Sequence, residues 1–379
     1  VIGSATTLSQ DNIFTTGIVT ATSLSVNGID IGRGLGSVAT NTVVGNNALD
    51  ANTTGSQNTV VGDEALGANT TASNNTAIGY NALTANTTGA ENTALGASAL
   101  GTNTTGANNV AIGVNAMLLN TTGSNNVAVG EFALDANTTG GRTTAIGYRS
   151  LSSQTTGSEN VAVGSYALDY NTTGTQNTAV GESALGANTT AGNNTAVGHD
   201  ALKTNSTGQY NTAVGSLALD ANTTGQQNTS VGYNALTQNT TGDYNTAVGL
   251  GALRDNDSSN NNTAVGTEAL KLNTGAKNTA VGAFALDSNT TAEHNVAVGY
   301  AAMDANTTGT RNVAVGAFAL DANTTADDNT SVGYNALTAL SSGNSCTAVG
   351  SQALESCTSG SDNTAVGQKA LEANTTGGY

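Results

Sequence analysis

The stretch NTAVGESALGANTTAGN, residues 177–193, returns with small changes from residue 41 to the end of the chain. The glycine that closes each A-V-G marks the copies: Gly45, Gly62, Gly79 and onward at a step of 17 to Gly266, then Gly282 after one step of 16, then 17 again to Gly367. That makes twenty units. A period this short and regular is the signature of a solenoid whose units each form one coil and are stabilised by stacking on their neighbours. The short unit reads KLNTGAKN (271–278) where others read xANTTGxxN, so one Thr is missing. A segment that tolerates deletion is a loop.

Counting repeat positions 1 to 17 from the Asn of N-T-A-V-G places Asn41 and Asn58 at position 1. Position 4 is Val, Ile or Leu in every unit, and position 9 is Leu or Met (Met117, Met303). These two positions are the expected core. Two apolar runs this short, each bounded by Gly and Asn, suit two strands joined by turns and are too brief for a useful amphipathic helix. The fold expected is therefore all-β, a parallel β-solenoid of twenty 17-residue coils over residues 41–379, with a β-rich connector at 1–40. Nineteen steps of about 4.8 Å give a rod of roughly 90 Å.

Position 5 is Gly throughout, including Gly45 and Gly62, as expected at a corner that needs positive φ or has no room for a Cβ. Positions 1 and 12 are Asn in almost every unit, Asn58 and Asn52 among them. Asn tolerates left-handed backbone and can hydrogen-bond its own kind along a stack. The exceptions at position 1, Thr143 and Cys346, share their units with the position 12 exceptions Gln154 and Cys357, and Leu340 is the one other departure. Paired exceptions imply that the two corners of one coil touch. The thiols of Cys346 and Cys357 are then expected within disulfide reach.

Composition excludes several functions. With 48 Gly, no Pro, no Trp and 9% charged residues the chain is not an ordinary globular enzyme. A net charge of -17 with nine Lys and Arg argues against nucleic acid and anionic membranes as partners, and no stretch of about 18 apolar residues offers a membrane span. His199 and His294 have no matched carboxylate or thiol in the repeat frame, so no catalytic residue is assigned. GRGLG (32–36) lacks the Lys-Ser/Thr of a phosphate loop and reads as a hinge between connector and rod. The many N-T-T sequons are products of the repeat and are expected to be bare.

NNVAIGVNAMLLNTTGSNNVAVG (108–130) resembles the repeats of bacteriophage tail fibres and related appendage proteins. Its VAIGxxA core is similar to the head repeats of trimeric autotransporter adhesins of the YadA type, whose unit is somewhat shorter. The resemblance covers residues 41–379, and TGIVTATSLSVNGIDIG (16–32) looks like the strand segments of phage fibre and baseplate proteins. It implies a homotrimeric, left-handed β-roll on a virion or an outer surface, meeting other virion or appendage proteins at both ends. A receptor-binding tip or chaperone often follows in that family. The last repeat stops on a completed coil at Tyr379 without a cap, so the chain is expected to be a section of a longer fibre or to dock there.

In a strand, position 8 would point away from position 9 and position 3 away from position 4. Position 8 is Ala except at Ser150, and position 3 is Ala, Val or Ser. Something packs against this small face, either a partner chain or the opposite wall of a thin coil. Rings gather at position 6 (Tyr80, Tyr148, Tyr233, Tyr300, Tyr334) and position 7 (Phe132, Tyr166, Phe284, Phe318). They either stack on sugars of a host surface or cover a groove or subunit edge. Position 10 places Asp287, Asp304 and Asp321 in successive coils, where they either splay into solvent or share Ca²⁺ or Mg²⁺. No other cofactor is expected. The reading is a rigid, non-catalytic shaft or spacer, with a host-surface glycan adhesin as the alternative. An ice-binding solenoid is third, through Thr at positions 13 and 14, although these lie beside a turn and not on a flat strand face.

Overall fold

The computed structural model describes residues 23–26, 29–34 and 38–378. Twenty three-residue strands, from β3 (Thr42–Val44) to β22 (Thr364–Val366), come one from each coil. Each pairs in parallel with its equivalent in the next coil, so that Thr178, Ala179 and Val180 lie beside Thr195, Ala196 and Val197. Ahead of them, β1 (Ser23–Val26) and β2 (Ile29–Gly32) form an antiparallel pair, and β2 runs antiparallel to β3 through Ile31 and Gly32. Residues 1–22 of the connector and residues 35–37, within and just after the glycine-rich hinge, lie outside the described residues.

The parallel solenoid is as the repeat foretells, but the coil wall differs in three ways. Each coil has one strand, at positions 2 to 4; positions 6 to 11 form a turn in place of the second. In that turn positions 7 and 9 are left-handed, as at Ser183 (φ 54) and Leu185 (φ 51), and alternate with residues of negative φ. The alternation curls the chain so that positions 8 and 9 both point inward, which an extended strand forbids. Ala184 and Leu185 are both fully buried. The small face at position 8 therefore meets the opposite wall of its own thin coil, and a partner chain does not reach it.

The strand is also turned over relative to the sequence expectation. Position 3 is buried in all twenty strands, whereas positions 2 and 4 are half-buried or exposed, with Leu95 at 44% and Ile146 at 39%. The interior is too narrow for two aliphatic rows. The exceptions show who faces whom: the Ser230 hydroxyl at position 3 donates to the Ala235 carbonyl at 2.7 Å, and the Ser150 hydroxyl at position 8 donates to the Ala162 carbonyl at 3.1 Å. Ala opposes Ala, and Leu at position 9 fills what remains. A left-handed Leu costs about 1–2 kcal/mol, and burying its side chain returns about 2 kcal/mol, so each coil tolerates the conformation only while its neighbours keep the Leu dry.

The conserved corners act as the repeat suggests, with one change. Gly45 has φ +145, and a Cβ there would lie 2.2 Å from the Gly62 carbonyl oxygen; at Gly62 the same atom would lie 2.3 Å from that of Gly79. Asn at positions 1 and 12 is not left-handed. Its value lies in the side chain. In the coil from residue 58, the amides of Asn58 and Asn69 both donate to the Ala72 carbonyl, at 3.0 and 3.1 Å. Asn69 also donates to Asn52 Oδ1 at 3.0 Å, while the position 1 ladder runs through the backbone: the Asn58 N–H donates to Asn41 Oδ1 at 2.9 Å and Asn58 Oδ1 accepts from the Asn75 N–H at 3.0 Å. Asn52 likewise donates to Gly55 O at 3.1 Å. These buried amides are committed to the stack, which closes the N-T-T sites to a glycan in the folded coil. The missing Thr is absorbed where expected: Asn262 and Asn273 still converge on Gly275 O, at 3.0 and 2.7 Å, and Thr263 stays opposite Thr279.

Contact between the two corners of a coil explains the paired exceptions. Gln154 is long enough to donate to Thr143 Oγ1 at 3.4 Å and to accept from Asn160 Nδ2 at 2.8 Å. In the other unit both thiols are free and buried and point at Gly360 O, Cys346 Sγ at 3.0 Å and Cys357 Sγ at 3.8 Å. Burial pushes the Cys357 thiol up, which slows its oxidation. Diamide is therefore expected to bridge the pair slowly within one chain, each disulfide reducing one diamide with two electrons and two protons. Loss of both titratable thiols with unchanged chain mass on a non-reducing gel is the predicted result; a chain-to-chain crosslink would contradict it.

Candidate functional site: aromatic ladders and an acidic row

The outer wall of the turn carries the rings. Phe132, Tyr148 and Tyr166, from three successive coils, meet edge to face with centroids 6.5 and 5.4 Å apart. Phe284, Tyr300, Phe318 and Tyr334 do the same over four coils, at 5.8, 5.4 and 6.3 Å. The sequence shows why. In both ladders position 7 alternates with position 6, whereas rings at one fixed position would stack face to face at the coil spacing of about 4.8 Å, which the ring quadrupole disfavours. Tyr80 and Tyr233 have no ring at position 6 or 7 of the adjacent coils and stand alone, 56% and 53% exposed.

Asp at position 10 accompanies every position 7 ring: Asp135 with Phe132, Asp169 with Tyr166, Asp287 with Phe284 and Asp321 with Phe318. Burial raises the carboxyls of Asp135, Asp287, Asp304 and Asp321, and the Asp304 charge adds to the effect on Asp287. Asp135, Asp287 and Asp304 each hold one buried oxygen with no hydrogen-bond partner. Among the described residues no group of three His, Cys, Asp or Glu side chains is placed to hold a metal ion. The row is then not fully splayed into solvent. Because these four folded carboxyls sit above their unfolded range, their contribution to stability is greatest at acidic pH and is lost as pH rises through the folded values. Asp304→Asn is expected to raise the melting temperature at pH 7 and to lose that advantage near pH 4, a comparison made by calorimetry at both values.

A groove of about 510 Å³ opens beside the first ladder, lined by Phe132, Tyr148, Arg149, Asp135 and Ser152. A second of about 300 Å³ adjoins it, where Arg149 and Tyr166 meet Tyr170 and Lys203. Arg149 Nε lies 3.6 Å from Asp169 Oδ1, and its guanidinium sits 5.8 Å from the Tyr166 ring centroid. The Ser152 hydroxyl also donates to Asp169, which is 4% exposed. Sequence reading singled out the rings here but not Arg149, Ser152, Asp135 or Tyr170. The available signal, for Arg149 and Ser152 alone, was that residues 143–159 depart from the repeat at positions 1, 8 and 12.

The histidines do have carboxylate neighbours. His199 Nδ1 lies 3.6 Å from Asp200 and His294 Nδ1 lies 3.8 Å from Glu293. Both imidazoles are about half exposed, and each partner is simply the adjacent residue. The threonines of position 13 donate their hydroxyls to the next coil, as Thr87 does to the Thr104 carbonyl at 3.0 Å, so they belong to the ladder. No protein-family model matches this chain, and no curated protein matches it significantly.

Proposed function

We propose that the chain is a rigid, non-catalytic shaft of a phage tail fibre or similar surface appendage, on a virion or outer surface, built as a homotrimer. The observation that carries this reading is where the repeat varies. Positions 1, 3, 5, 8, 9 and 12, which make the interior and its hydrogen-bonded corners, hardly change, while positions 6, 7, 10, 11, 16 and 17 drift on the outside. A spacer needs length and stiffness and asks little of its surface.

The partner face of the proposed trimer is the strand wall. Positions 2 and 4 carry only Thr, Val, Ile or Leu in all twenty coils, with no charge anywhere along the rod. Twenty aliphatic side chains in one row exceed the roughly 300–600 Å² apolar patch that a monomer usually leaves exposed. Two further copies of the same chain would cover that row along its whole length. Val180→Arg together with Val214→Arg places charge on this face without touching the core. The native mass by light scattering is expected to fall threefold to that of one chain while the circular dichroism is kept. A wild-type chain that is already monomeric, or a variant that keeps the wild-type mass, would refute the placement.

A further inference from the structure

We propose that the groove beside the Phe132–Tyr148–Tyr166 ladder binds a neutral oligosaccharide. This goes beyond the shaft reading and does not rest on it, because the groove lies on the turn wall and the strand wall is a separate face of the coil.

Three observations converge there. The first is shape: about 510 Å³ beside Tyr148 suits one or two pyranose rings, and small-ligand sites commonly measure roughly 300–1,000 Å³. Rings come next. Tyr148 in the larger groove and Tyr166 in the adjoining one are 42% and 37% exposed, and their edge-to-face packing holds each ring in place. Such a preorganised ring can cover the C–H face of a sugar at little conformational cost. The third is the hydrogen-bonding inventory. Asp135 lines the groove half-buried, with one oxygen enclosed and without a hydrogen-bond partner, and a carboxylate desolvated in this way gains from a hydroxyl donor that reaches it. Sugars supply C–H faces and hydroxyl donors together.

Charge selects a neutral ligand over an acidic one. The one cation lining the larger groove, Arg149, is already held by Asp169 and the Tyr166 ring, and Lys203 at the far end is 3.2 Å from Asp200. Asp135 therefore leaves the larger groove acidic. A uronate or sulfated sugar would face repulsion there without a free counter-charge.

The test is titration of the full chain with neutral tetrasaccharides built from glucose, galactose and mannose, and with tetragalacturonate as the acidic probe, followed by saturation-transfer NMR. At least one neutral probe is expected to bind saturably. Tyr148→Ala with Tyr166→Ala should weaken it at least about tenfold, and Asp135→Asn should weaken it with the rings intact. Tyr80→Ala, on an isolated ring, should leave it unchanged. The proposal is overturned if no neutral probe binds, if tetragalacturonate binds more tightly, or if removal of the rings and of the carboxylate leaves the affinity as it was.

Discussion

Ala133→Arg combined with Ala167→Arg is expected to unfold the middle of the rod. Both alanines are fully buried at position 8, where they face the strand wall of their own coil. A guanidinium there would be enclosed by the Ala and Leu rows of the core, and an unpaired buried charge belongs to the most damaging class of substitution, above about 4–5 kcal/mol. Since each coil is stabilised by its neighbours, the damage spreads. Loss of strand signal and aggregation at room temperature are the predicted outcome. A folded protein of reduced native mass would mean instead that position 8 faces a partner chain.

Gly215→Val is the second large effect. Gly215 has φ +135, and a Cβ would sit 2.5 Å from the Gly232 carbonyl oxygen. That oxygen belongs to the backbone of the next coil and cannot swing aside. The clash adds to a backbone conformation that a β-branched residue avoids, so a loss above about 4 kcal/mol is expected. Gly67→Ala supplies the contrast. Its φ lies outside the left-handed range and its nearest neighbour would be Glu64 O at 3.4 Å, so a change within about 0.5 kcal/mol is expected. Hydrogen exchange of the flanking coils reads both variants.

These two variants also mark how far the sequence could be read. The period, the single-coil unit, the loop that absorbs a deletion and the contact between positions 1 and 12 all follow from counting, because each leaves a periodic trace. The inside and outside of the strand did not. Larger aliphatics normally belong to the core, yet here Val180 faces outward and Ala179 inward, since a 17-residue coil encloses room for Ala, Ala and one Leu. The left-handed Leu185 was equally hidden. Gly and Asn announce positive φ, whereas a Leu kept for its burial announces nothing. Of the candidate site, the rings were visible as aromatic residues, but their alternation between positions 6 and 7 acquires meaning only when coils are stacked. Arg149 is a single departure without a period, Asp135 is one of several Asp at position 10, and only the fold brings the two to one groove.

Stacking of the coils at a constant rise is the central claim, and a distance along the rod tests it most directly. Gln176 and His294 both occupy exposed position 17, seven coils apart. Spin labels on Gln176→Cys and His294→Cys, with Cys346→Ser and Cys357→Ser removing the native thiols and labelled chains diluted into unlabelled ones, measure that span by pulsed electron resonance. Seven coils at about 4.8 Å predict one narrow peak near roughly 34 Å. A broad distribution, or a peak displaced by more than about two coil spacings, would contradict the stacked solenoid.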